Sequence, residues 1–123
     1  MEFLPYGILI YQFTEPETLV LIYSNKLASE LLQTDCEKLI GKDFNYIWQY
    51  SGVSELKEKF LSVFKTESIR ELDDIHYFIN GFKGIFKIKL FKFENNKLCV
   101  IFEDLHKQKQ IKEKLEKLNE KFQ

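Results

Sequence analysis

GIFKIKLFKFENNKLCVIFED, residues 84–104, reads as two strands and the turn between them. Across its first ten residues the alternation is clear. Phe86, Ile88 and Leu90 fall on one side and Lys87 and Lys89 on the other, the pattern of a strand with one face on a core. Glu94-Asn95-Asn96-Lys97 has turn composition. Leu98, Val100 and Phe102 then alternate with Cys99 and Ile101, so this last strand is apolar on both faces. If helices cover one face, the other also needs a cover, from a partner or from the N-terminal segment.

Working upstream, Ile75 to Ile79 reads as a strand leading into Asn80-Gly81, a strong turn dipeptide. Phe82-Lys83-Gly84 extends the expected loop beyond two residues, and each of the five glycines is assigned to a turn or a strand edge. Before it, Val53, Leu56, Phe60, Val63 and Phe64 form one stripe of an amphipathic helix. Asp43 is placed to cap a short helix carrying Phe44, Ile47 and Trp48. Thr34-Asp35-Cys36-Glu37 matches a capping box ahead of a single helical turn stopped at Gly41. Leu27, Ala28, Leu31 and Leu32 form another short helix face, with Ser24 or Asn25 as its N-cap. Tyr6–Phe13 and Thr18–Tyr23 are apolar runs joined by a turn containing Pro16, an antiparallel hairpin. The order is β-β-α-α-α-β-β-β, then a charged helix from His106, which predicts an α+β domain on one antiparallel sheet.

A chain of 123 residues with 45% hydrophobic content supports one globular core. The formal net charge is −1, which offers no field for nucleic acid or an anionic membrane. Residues 105–123 hold six Lys against three Glu, so the basic excess sits in the tail. Glu interrupts that run, and a solvated helix face explains it, so no nucleic-acid partner is expected. Cys36 and Cys99 cannot make a disulfide framework and read as buried thiols. No apolar run reaches the roughly 20 residues of a membrane span and no signal peptide is visible, so a cytoplasmic protein without membrane insertion is expected.

The order and its punctuation resemble a PAS domain. The likeness runs through Leu4-Pro5-Tyr6-Gly7-Ile8, Ile22-Tyr23-Ser24-Asn25-Lys26-Leu27-Ala28, Leu39-Ile40-Gly41-Lys42 and Phe102-Glu103-Asp104-Leu105. His106-Lys107-Gln108-Lys109 is similar to the family's linker into a signalling helix. The usual Asp-Ile-Thr junction reads Asp104-Leu105-His106 here, without the Thr. The resemblance implies a five-stranded antiparallel sheet with short helices on one face. It divides the chain into a sensor domain, 1–105, and the start of a signalling helix, 106–123. A histidine kinase or cyclase output domain would follow in the full-length protein. Flavin photosensors of the LOV type carry a reactive Cys where Phe44 stands in Gly41–Trp48, so a covalent flavin adduct is not expected. Haem-binding members use a His on the long helix, and Val53–Thr66 has none.

No cofactor is predicted; a non-covalent flavin or a small apolar metabolite is compatible with the chain. Phe44, Trp48, Phe60, Phe64, Phe86 and Ile88 are the candidate pocket lining, against the default that close packing fills the core. His76 and His106 stand apart from each other and from any Cys, so no metal site is expected. No nucleophile–base pattern and no phosphate-binding glycine loop occurs, so no enzyme is expected. Ile111, Leu115, Leu118 and Phe122 are spaced four, three and four apart, a coiled-coil-like seam that predicts a homodimer. The functional expectation is a sensing and dimerisation module, with Asp104 as the junction through which a ligand- or interface-driven change reaches the helix. The alternative is a ligandless domain that joins subunits or docks another protein.

Overall fold

In a computed structural model the backbone pairs as the alternation requires. The structure describes residues 6–15, 17–48, 53–66, 68–79, 81–94 and 96–121. Strands β1 (Gly7–Thr14) and β2 (Thr18–Ser24) form the first hairpin, and β3 (Arg70–Ile79), β4 (Phe82–Phe93) and β5 (Lys97–Asp104) form a meander. All neighbours are antiparallel, in the order β2-β1-β5-β4-β3. β5 is thus the middle strand, and on both faces its side chains are flanked by those of β1 and β4. Between the two sets lie α1 (Lys26–Leu32), a 3-10 turn (Cys36–Leu39), α2 (Asn45–Trp48) and α3 (Val53–Thr66); α4 (Leu105–Lys121) leaves directly from β5.

Asn25 is the N-cap of α1. Its Oδ1 accepts from Ala28 N at 2.9 Å and from Ile8 N at 2.9 Å, and its Nδ2 donates to the Tyr6 carbonyl at 3.0 Å. One side chain therefore caps a helix and ties it to the start of β1. The capping box at Thr34 does not form: Asp35 is the N-cap of the 3-10 turn and makes no side-chain cap bond. Thr34 Oγ1 instead donates to the Leu32 carbonyl, turned back toward α1. The hairpin at Asn80-Gly81 is also tighter than expected. Ile79 pairs with Phe82 and Tyr77 with Gly84, leaving two residues in the loop and placing Gly84 inside β4. Gly81 has φ +83°, which a two-residue hairpin loop demands and glycine adopts without strain.

The exposed edge of β2 is covered from within the chain. Gly41 N donates to the Leu21 carbonyl, Leu21 N to the Lys42 carbonyl and Phe44 N to the Leu19 carbonyl, at 2.8, 2.9 and 2.8 Å. This segment satisfies backbone groups that would otherwise template another strand. It also delivers Phe44, at the entrance to α2, onto the inner face of the sheet.

Candidate functional site

The inner face collects one large cluster of rings. Phe44, Trp48, Phe60, Phe86 and Ile88 are all 0–1% exposed. The Phe44 and Phe60 centroids stand 4.9 Å apart edge-to-face, and Trp48 lies 5.9 Å from Phe60 and 6.3 Å from Phe44. Offset and edge-to-face contacts of this kind are the arrangements aromatic quadrupoles favour. Phe64 is elsewhere. It is half-buried, with its ring 5.0 Å from Phe13.

Three further rings complete the cluster. Tyr11 comes from β1, Tyr77 from β3 and Phe102 from β5, each at most 1% exposed. Phe102 lies 6.1 Å from Trp48 and 5.4 Å from Phe86, and Tyr77 6.2 Å from Trp48. The signal for them was strand alternation: Tyr11 shares the face of Leu9, and Phe102 that of Leu98 and Val100.

The polar atoms carried inward by these rings are paired. Trp48 Nε1 donates to the Tyr11 hydroxyl at 3.0 Å. Tyr77 Oη lies 3.3 Å from Thr34 Oγ1, whose own proton goes to the Leu32 carbonyl. Burial pushes the Tyr11 hydroxyl far above the usual phenol range, outweighing the Trp48 hydrogen bond that lowers it. The Cys36 thiol is also raised, chiefly by burial, as is that of Cys99. All three stay protonated at neutral pH, which makes them poor nucleophiles. Among the described residues no group of three or more His, Cys, Asp or Glu is placed to hold a metal.

The outer face carries a second apolar surface. Ile8 pairs with Ile101, Ile10 with Cys99, and Cys99 with Phe91 across the three central strands. Ile8, Ile10, Phe91, Phe93 and Ile101 are half-buried, and the Phe91 and Phe93 rings stand 6.5 Å apart. Beside them a groove of about 350 Å³ is lined by Tyr6, Glu71, Lys87, Lys89, Ile101, Phe102 and Glu103. Its charges alternate in sign: Lys89 Nζ stands 3.8 Å from Glu71, and Lys87 faces Glu103 across the ladder. Asp104 ends β5 as the register partner of Phe86, and α4 begins at the next residue.

On α4, Leu115 is 58% and Leu118 49% exposed, and every residue from Lys112 to Glu120 is exposed. Phe122 and the side chain of Ile111 lie outside the described residues. Among the described residues no helix is long and apolar enough to cross a membrane.

The architecture is that of solved sensory domains. The chain matches a structure of an RNA-binding light-oxygen-voltage receptor with a TM-score of 0.70 at 16% identity, over 95% of this chain and 34% of that one. It matches the PAS domain of a nitrogen regulation protein from Vibrio parahaemolyticus with a TM-score of 0.64 at 12% identity, over 83% and 91%. Against the blue-light activated histidine kinase of Erythrobacter litoralis the TM-score is 0.65 at 13% identity, over 83% and 33%. No family model and no curated protein matches the sequence. The chain has the PAS fold, and it spans about a third of the length of the light-oxygen-voltage receptor and the histidine kinase it resembles.

Proposed function

We propose that this chain is the sensing and dimerisation module of a longer signalling protein, acting through α4 on an output domain such as a histidine kinase. The observation that carries this reading is α4 itself. It runs for 17 residues, and its leucines at 115 and 118 meet no cover in the single chain. A helix this charged, detached from the core along its last turns, is marginal alone and gains its stability from a partner. Two copies aligned along the 111–115–118–122 seam would bury both leucines. The groove on the outer face holds Lys and Glu side by side, so a two-fold axis through it can bring a Lys of one copy to a Glu of the other. The domain conducts no reaction of its own in this reading.

The packed interior favours the interface-driven form of the signal over ligand capture. A non-covalent flavin or an apolar metabolite would have to separate Phe44, Trp48 and Phe60, and would lose their ring contacts. We therefore assign no cofactor, and place the signal in the subunit interface and the junction at Asp104.

Light scattering on the 123-residue protein is expected to give twice the 14.8 kDa chain mass. Leu115→Glu and Leu118→Glu, which put four carboxylates on one seam of a pair, should shift that mass to the monomer. A monomeric wild type, or glutamate variants that remain dimeric, would overturn the seam. Native mass spectrometry separates the two signal types: extra mass lost on denaturation would replace the interface reading by a ligand-driven one.

A further inference from the structure

We propose that Phe102 is a positioning residue that couples the interior ring cluster to the exit of α4, and that Gly7 is glycine in order to seat its ring. This rests on the reading of α4 as the output element, and it names how the interior reaches that element.

Gly7 and Phe102 are register partners on β1 and β5. A β-carbon added at Gly7 would stand 2.5 Å from Cζ of Phe102, 2.7 Å from Cε1 and 2.8 Å from Cε2. Such distances are far inside van der Waals contact, so the ring occupies the place of the missing side chain. Gly7 is not in the left-handed region, so space rather than backbone freedom accounts for the residue. On its other sides the ring meets Trp48 at 6.1 Å and Phe86 at 5.4 Å.

Two residues beyond Phe102, Asp104 pairs with Phe86, and Leu105 begins α4. The ring is therefore held between the β1 backbone, a helix residue and the strand partner of the junction. Close-packed interiors change between discrete arrangements rather than deforming smoothly. A displacement of Trp48 reaches Phe102, and the Gly7 backbone blocks the ring from yielding toward β1. The end of β5 must move instead, and with it the first turn of α4. The same path runs in reverse from the helix to the interior.

The test is amide hydrogen exchange over residues 103–110 of the 123-residue protein, with Trp48 fluorescence read in parallel. Gly7→Ala and Phe102→Leu are compared with Val63→Ala, a buried α3 position outside the ring contacts. All are measured in urea that equalises global stability, at a concentration where they share one molecular mass. The expected result is a shifted Trp48 emission in both variants and exchange at 103–110 about tenfold or more faster than in the Val63→Ala control. Exchange there no faster than the control overturns the coupling. Should Gly7→Ala alone fail to fold, Phe102→Leu still reads the coupling, and the double variant reads the seat: a leucine leaves room for the added methyl. A double variant that also fails to fold overturns the seating of Phe102 by Gly7. The readout lies within one chain, so a monomeric wild type would remove the dimeric reading while leaving this comparison intact.

Discussion

Tyr11→Phe removes one oxygen from the middle of the domain and leaves Trp48 Nε1–H without its only acceptor among the described residues. Tyr11 and Trp48 are both 0% exposed, so solvent has no access to replace the lost oxygen. A buried donor stripped of its partner costs about 1–3 kcal/mol, more than the net worth of the bond itself. The phenylalanine ring fills the same outline, which keeps the cavity contribution small. We take about 2 kcal/mol as the expectation. For a chain of 123 residues the unfolding entropy is about 0.26 kcal/mol/K, so Tm should fall by about 8 °C. Tyr77→Phe is the internal comparison. Its bond to Thr34 is 3.3 Å long and only partly buried, and about 0.5–1 kcal/mol is expected. Urea unfolding should be followed by far-ultraviolet circular dichroism, because Trp48 is the sole tryptophan and its emission responds to the substitution directly. A cycle with Trp48→Phe completes the argument: the coupling between Tyr11 and Trp48 should be about 1 kcal/mol or more. A Tyr11→Phe protein within about 0.5 kcal/mol of wild type at unchanged m-value would refute the reasoning, because the indole N–H would then have another acceptor.

Asn25→Ala should cost about 2–3 kcal/mol, above the usual N-cap loss, since three hydrogen bonds to two elements go together. Asn25→Asp keeps both acceptor bonds and loses only the donation to Tyr6, so it should recover most of that loss in the same urea titration. Stability should also fall in alkali. Tyr11, Cys36 and Cys99 are each held protonated by burial in the folded chain. The unfolded chain releases these protons from about pH 8.5 for the thiols and about pH 10 for the phenol. Above those values the folded state binds more protons, so the contribution of these three groups is flat below about pH 8 and then drops by up to about 1.4 kcal/mol per pH unit for each group. Cys36→Ala with Cys99→Ala should flatten the slope of denaturation midpoint against pH between 8.5 and 10; an unchanged slope would show that neither thiol contributes.

Most of the architecture was legible because it is written in short-range periods. The alternation of Phe86, Ile88 and Leu90 predicts the inner face of β4, and all three are fully buried there. Asp43 and Asn25 announce their helices by residue type, and each accepts a backbone N–H as expected. Of the six candidate pocket residues five meet in one cluster, since stripe and alternation both point them inward. Phe64 belongs to the same helical stripe as Phe60 but packs one turn further on, at the margin of the cluster with Phe13. Helical spacing states which side a residue is on, not how far along the sheet it lands. Tyr11 does not stand out in the sequence, because one tyrosine in an apolar run looks like any other strand residue until its hydroxyl meets an indole 37 positions away.

The glycines show where local reading fails and why. Gly41 and Gly81 have φ of +94° and +83° with open space around them, so each is required by its own backbone. Gly7 is required by a neighbour, and Gly84 stands opposite another ring. Gly7 faces Phe102 across the ladder and Gly84 faces Tyr77, and both partners turn their rings inward. In each pair the glycine lacks a side chain on the face where its partner carries a large one, the cross-strand relation in which an aromatic covers a glycine. A sequence marks both kinds with the same residue, and the Asn80-Gly81 turn made Gly84 look like more loop. Telling them apart requires the register, which is set by strands that meet across the sheet. The two pairs also sit on the same ring system: Tyr77 and Phe102 both touch Trp48. The glycines hardest to read locally are therefore those set opposite rings of the cluster at the root of α4.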